Sequence, residues 1–249
     1  ATITAGLSGV VAACAPGYMP LDGTRRYRAG VESAERFVQL VNRRTAMARL
    51  DLLAALIGTS FDPAVEPGEV LNGLDRLSEM CGRSFPSVME SLFTSGRLRG
   101  NRDDYGDPRN SFLHQVIDRG VGIPITLSVC AIEVGKRLGL QIDGIGLPGH
   151  FLVESGGMFG DPFNGTIHTA DEVEQVWQRA TGRGEPLDRR LLVPAHTRSI
   201  LLRILNNLKQ TLVAMDDPQP LRVLAQLRSA FPELANEAHE HARWLRHWN

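Results

Sequence analysis

The chain has 249 residues, enough to bury a substantial core in one large domain or two small ones, and its 43% apolar and 22% charged composition is that of an ordinary globular protein. A formal net charge of −1 gives no bulk attraction for nucleic acid or an anionic membrane. No apolar run reaches the ~18 residues of a membrane-spanning helix, so a cytoplasmic protein with neither nucleic acid nor membrane as partner is expected.

Residues 1–30 are rich in Gly, Ala and Pro without a sustained period, which predicts an extended arm. Val10-Val-Ala-Ala-Cys14 has the look of a lipoprotein cleavage site, but no Lys or Arg precedes it, and it is read as part of that arm. Arg25, Arg26, Arg28, Arg36, Arg43, Arg44 and Arg49 are interleaved with Glu32, Glu35 and Asp51, the pattern of a solvated helix face. Cys14, Cys81 and Cys130 are odd in number and widely spaced, which suits a reducing compartment better than a disulfide framework.

Helical spacing starts at Ser33 with Phe37, Leu40 and Val41, and resumes with Leu50, Leu53, Leu56 and Ile57 before Gly58. Gly68 to Met80 predicts an amphipathic helix, and Val88, Leu92 and Phe93 a shorter one. The turn-forming stretch Gly100 to Asn110 predicts a loop, followed by a short helix through Phe112, Leu113, Val116 and Ile117. Pro124 fits the first position of the next helix, where its missing N–H would be unpaired anyway, and Gly139 fits that helix's end. Short strands are expected at Gln141 to Ile145, Gly149 to Ser155 and Met158 to Phe163, the last two joined by Gly156-Gly157. Asp171 to Ala180 reads as a helix. After a loop to Pro194 come three more helices, the second and third opened by Pro218 and Pro232, and they suggest a tetratricopeptide-like array. The expected division is an arm over 1–30, a main domain over 31–195 and C-terminal helices over 196–249.

The Gly156-Gly157 turn brings His150 and Asp161 to one face of a hairpin. They lie diagonally across it in that register, and directly opposite if the turn begins one residue earlier. An aspartate beside a histidine fixes the imidazole tautomer and stabilises its protonated form, the orienting half of a nucleophile, base and acid triad. The alternative is structural, with His150 capping a buried polar network and Asp161 opening the turn at Pro162.

A nucleophile for such a pair belongs at a helix mouth, where the macrodipole lowers a thiol's pKa and free N–H groups can form an oxyanion hole. Gly122-Ile-Pro124 occupies that mouth. Cys130 lies six residues further, about 9 Å along the axis and roughly 120° around it, which favours a small core residue. Ser128 shares the face of Pro124 and is a candidate to bond toward His150, although a helical serine commonly bonds back to its own helix.

Tyr105-Gly-Asp-Pro-Arg-Asn110-Ser-Phe-Leu, Gly122-Ile-Pro-Ile-Thr-Leu-Ser128, Arg137-Leu-Gly139-Leu, Leu147-Pro-Gly-His150-Phe and Asp161-Pro-Phe together resemble the SirB1-type proteins of the transglutaminase-like superfamily, over roughly Leu50 to Lys209. The resemblance implies an α+β, papain-like core, a helix packed on a small antiparallel sheet, with tetratricopeptide-like helices following. It implies that His150 and Asp161 match the superfamily's histidine and aspartate and that its cysteine position is held by Pro124, as is usual in the SirB1-type group.

Three functions follow as expectations. The first is a protein without the thiol mechanism that binds a peptide, protein or amide-bearing small molecule, with Asn110, Pro124, Phe151 and Phe163 of the matching blocks as contacts. The second is an acyl transferase or hydrolase with a rearranged site, His150 as base, Asp161 as orienter and Ser128 or Cys130 as nucleophile. The third is a helical scaffold suggested by Trp244 and Trp248. No cofactor is expected, and the spacing of His114, His168, His239 and His241 makes no metal site.

Overall fold

The computed structural model of the chain describes residues 24–43, 49–182, 184–215 and 217–237. Helices α1 (Thr24–Val41), α2 (Leu50–Phe61), α3 (Pro67–Glu79), α4 (Phe85–Met89) and α5 (Leu113–Arg119) precede the Pro-started α6 (Pro124–Arg137). Strands β1 (Arg99–Gly100) and β2 (Val121–Gly122) make a short parallel ladder just before α6. The main sheet follows as β3 (Asp143–Leu147), β4 (His150–Ser155), β5 (Met158–Asp161) and β6 (Thr166–Thr169), antiparallel and in chain order. Helices α7 (Val173–Thr181), α8 (Thr197–Ala214) and α9 (Pro218–Arg228) complete an α+β architecture.

Two helices are apolar all round, and a helix of that kind must be enclosed. In α2 almost every residue from Leu50 to Phe61 is buried, with α1, α3, α5, α8 and α9 packed about it. In α6 every residue from Pro124 to Gly135 is buried, between the sheet and α3. Along β4 the side chains alternate between two layers, as strand geometry requires. Phe151 and Val153 join the large core that contains α6, whereas Leu152 joins Ile145, Leu147, Phe159 and Trp177 in a second core under α7.

The elements differ from the sequence expectation in several places, among them the unexpected β1–β2 ladder and a first main-sheet strand shifted to Asp143–Leu147. The first helix begins at Thr24, so residues 24–30 are helical rather than extended. Gly58 does not end α2, because its lack of a side chain makes room for His114, whose Nδ1 would lie 2.7 Å from an added Cβ. The short helix at Val88 to Phe93 widens after Met89 into a π turn over Glu90–Thr94, closed by Ser95 N–H donating to Glu90 O at 3.0 Å. The expected third C-terminal helix opens as a 3-10 segment at Pro232–Glu237, and the rest of it lies outside the described residues. Strand β6 was not foreseen: Thr166, Ile167 and Thr169 are exposed on the sheet edge, and an edge strand with no buried face carries no alternation of apolar and polar residues. The arm before Thr24, Cys14, Trp244, Trp248, His239 and His241 lie outside the described residues. No helix of the described residues is long and apolar enough to cross a membrane.

The β3–β4 turn is Pro148-Gly149, with Gly149 at φ +75°. Proline fixes φ near −65°, so this turn is not of the two-positive-φ kind that matches strand twist in short hairpins. A side chain from α8 secures it. Arg203 Nη2 donates to Leu147 O and to His150 O, both at 2.6 Å, and the guanidinium lies 5.3 Å from the centre of the Phe151 ring. Burial pulls this guanidinium below its ordinary pKa, with Tyr105 opposing. Ala195 N–H donates to Gly144 O at 2.7 Å, and Pro194 bridges to Ile145, so the chain enters α8 already joined to the sheet. Arg203→Met is expected to lower unfolding free energy by about 2–4 kcal/mol, since two strong hydrogen bonds are lost while the aliphatic packing remains. Urea denaturation checks it, and a change below ~0.5 kcal/mol would deny the clamp its role.

Candidate functional site

His150 is the first residue of β4 and Asp161 the last of β5. Gly156 and Gly157, at φ +60° and +84°, close the turn between them and set Ser155 opposite Met158, Glu154 opposite Phe159 and Val153 opposite Gly160. That is the diagonal register, and the two side chains meet with His150 Nε2 2.9 Å from Asp161 Oδ2. A carboxylate can only accept, so His150 carries a proton on Nε2 and donates it to Asp161. No hydrogen bond to Nδ1 is formed among the described residues.

Asp161 is completely buried and receives four hydrogen bonds: from His150 Nε2, from Asn164 Nδ2 at 2.6 Å, and to Oδ1 from the main-chain N–H groups of Phe163 and Asn164 at 3.0 and 3.1 Å. Burial by itself would push the carboxyl up. The hydrogen bond and charge of His150, with those from Asn164, outweigh it and hold the group below the usual carboxylate range.

The pair opens onto a cavity of about 490 Å³. Pro124, at the start of α6, forms one wall, and Val176, Arg179 and Ala180 of α7 form another. Phe163 and Tyr105 meet edge to face at 6.0 Å, with Phe163 seated against Gly100, where an added Cβ would come within 2.6 Å of the ring. Arg102 lies over the same ring at 5.1 Å and donates to Asn164 Oδ1. Across Tyr105, a second and mainly apolar cavity of about 370 Å³ runs between Ile123, Gln210, Thr211 and Met215.

Of the residues singled out from sequence, His150, Asp161, Pro124 and Phe163 line the cavity. The other four are interior. Asn110 is fully buried and holds the loop above the cavity, donating from Nδ2 to Asp104 O and Tyr105 O and accepting from Asn101 Nδ2. Phe151 is on the opposite face of β4 from His150, over Gly144 and Ile132. Ser128 is completely buried with its hydroxyl unpartnered, and the expected bond toward His150 is not formed. Cys130 is completely buried and its thiol is pushed up to about 12 by burial, so thiolate is scarce at neutral pH. Neither Ser128 nor Cys130 lines the cavity, which removes the geometric basis for either as nucleophile. Sequence reading missed Arg102, Tyr105, Asn164 and Arg179. A signal for Asn164 was present, since an Asp-Pro-Phe-Asn-Gly turn offers its own side chains to the aspartate that opens it. Among the described residues no group of three or more His, Cys, Asp or Glu is placed to hold a metal ion.

The profile of the family Transglut_core2, described as transglutaminase-like superfamily, matches residues 45–206. A UPF0162 protein of Xylella fastidiosa is 45% identical over 130 residues, 49% of this chain and 46% of that protein. A UPF0162 protein of Pseudomonas aeruginosa is 30% identical over 188 residues, 71% of this chain and 68% of that one. F-box only protein 21 of Mus musculus is 30% identical over 131 residues, 51% of this chain and 20% of that protein. The match thus spans about half the length of the Xylella relatives. No solved structure matches.

Two outcomes test the site's energetics. Ser128→Ala removes a buried hydroxyl with no partner, so it is expected to raise stability by about 1 kcal/mol in urea denaturation, and a loss of that size would show that the hydroxyl is bonded. The Asp161 carboxyl is held below its unfolded pKa of ~3.9, so its contribution is full above that pH and is lost as pH falls through the lower, folded value. Asp161→Asn is therefore expected to be less stable at pH 7 by about 3 kcal/mol, with a gap to wild type that narrows at acid pH. A gap constant from pH 7 to 3 would refute the assignment.

Proposed function

From the chain's membership of the transglutaminase-like superfamily, we propose that it is a binding descendant of that fold, which receives a peptide or another amide-bearing partner in the cavity beside His150 and Asp161 and performs no thiol chemistry. The observation that carries this reading is Pro124. It stands in the cavity wall at the mouth of α6, where a thiol would need to be, with a complete His150–Asp161 pair beside it. The ring offers no electron pair and no proton. The second cavity beyond Tyr105 favours an extended chain over a compact small molecule, because an occupant of both must pass Tyr105.

The finer likeness to SirB1-type proteins, resting on Gly122-Ile-Pro124 and its neighbouring blocks, fits the same reading. So does a tetratricopeptide-like role for the helices from α8 onward, of which α8 and α9 form the described pair. A cytoplasmic location and a cofactor-free site belong to this proposal as well.

Purified protein given a glutamine-containing acceptor protein and a fluorescent primary amine is expected to incorporate no label. Incorporation that disappears in His150→Ala would overturn the reading. Pro124→Cys is expected to create a thiol that iodoacetamide alkylates rapidly at neutral pH, slowed by about tenfold or more when His150→Ala is added, because the imidazole supports the thiolate.

A further inference from the structure

The charges around the cavity are unequal. The exposed Arg102 and Arg179 line it with His150 and His168, and Asp161 is the only carboxylate of the lining among the described residues. Asp161 is enclosed by its four donors and turned to His150. The two arginines have no carboxylate partner within ion-pair distance among the described residues. Arg102 donates to the neutral Asn164 Oδ1, and Arg179 Nε donates to Gln175 O at 3.2 Å. Glu172 feels the charges of His168 and Arg179 without pairing to either, and accepts from Thr169 N–H at 2.7 Å and from the Thr169 hydroxyl at 3.0 Å.

The helix that ends at the cavity adds to this imbalance. Ile123 caps α6 with no side-chain hydrogen bond, and the N–H groups of Ile125 and Thr126 find no acceptor among the described residues. Unclaimed N–H groups and the aligned peptide dipoles make that end partially positive, at the wall formed by Pro124. A neutral carboxamide would gain little from two arginines and a helix N-terminus. A carboxylate gains a charge-assisted hydrogen bond from either arginine.

We infer that the group received here is anionic, a peptide side-chain carboxylate such as that of glutamate, in preference to the neutral carboxamide of glutamine. The inference rests on the binding reading above and narrows its ligand. In this arrangement Arg102 and Arg179 draw the carboxylate to the mouth, and the Phe163 and Tyr105 rings flank its methylene groups.

The test is a titration with N-acetyl-glutamate α-amide and, separately, N-acetyl-glutamine α-amide, followed by NMR of the His150 ring. The glutamate compound is expected to bind about tenfold more tightly at low ionic strength, with the advantage shrinking as salt is added. In the Arg102→Gln, Arg179→Gln double variant, where both replaced side chains are exposed, the advantage is expected to vanish. Equal or tighter binding of the glutamine compound overturns the inference and leaves the binding reading standing, as does a glutamate preference that survives loss of both arginines. If neither compound moves the His150 signals, the binding reading fails together with the inference.

Discussion

A carboxylate with no exposed surface is costly to bury unless its oxygens are satisfied, and the Asp161 carboxylate is the group on which the arrangement of this protein's cavity depends. Its four donors come from two places, the start of β4 and the turn after β5. Satisfying them fixes the spacing of the two strands, the imidazole tautomer and the path of the chain through Phe163 and Asn164. The same turn carries Phe163 onto Gly100, and Thr94 on the other side of the loop donates to Gly165 O at 2.8 Å. The cavity's aromatic side is thus a consequence of how one charge is accommodated.

Much of this was legible in the chain itself. Two adjacent glycines flanked by short apolar runs specify a two-residue turn, and eleven positions between His150 and Asp161 then place both on one face. The proline start of α6 and its end at Gly139 were equally plain. The parts that escaped depend on contacts distant in sequence. Arg203 is 53 residues from His150, and nothing in the helical spacing of α8 distinguishes an arginine that reaches a strand end from one that faces water. Ser128 shows the opposite error: helical periodicity correctly gives it the face of Pro124, but one further turn of helix carries it past the cavity and into the core. Asn110 was expected as a ligand contact, yet its side chain bonds the loop that carries Tyr105 and does not line the cavity.

Pro124 is compatible with every other part of the scaffold. At the first position of a helix it removes an N–H that would have no partner and restrains the chain to a helical φ. The helix mouth, the histidine and the aspartate therefore keep their mutual geometry without a reactive group between them, and the surrounding cavity is as large as one that would hold a side chain and part of its backbone. The cavity lining and the helix mouth are separable in such a scaffold because different elements supply them. Arg102, Tyr105 and Phe163 come from loops, whereas the position that Pro124 occupies belongs to a helix buried from Pro124 to Gly135.

The likeness that defines the family covers residues 45–206 and stops three residues beyond Arg203, in the middle of α8. A boundary drawn by secondary structure would fall at either end of that helix. The family match ends instead just past the side chain that grips the carbonyls of Leu147 and His150. The matched region thus takes in the hairpin together with the side chain that holds it, while the second half of α8 still contributes Leu208 and Leu212 to the core.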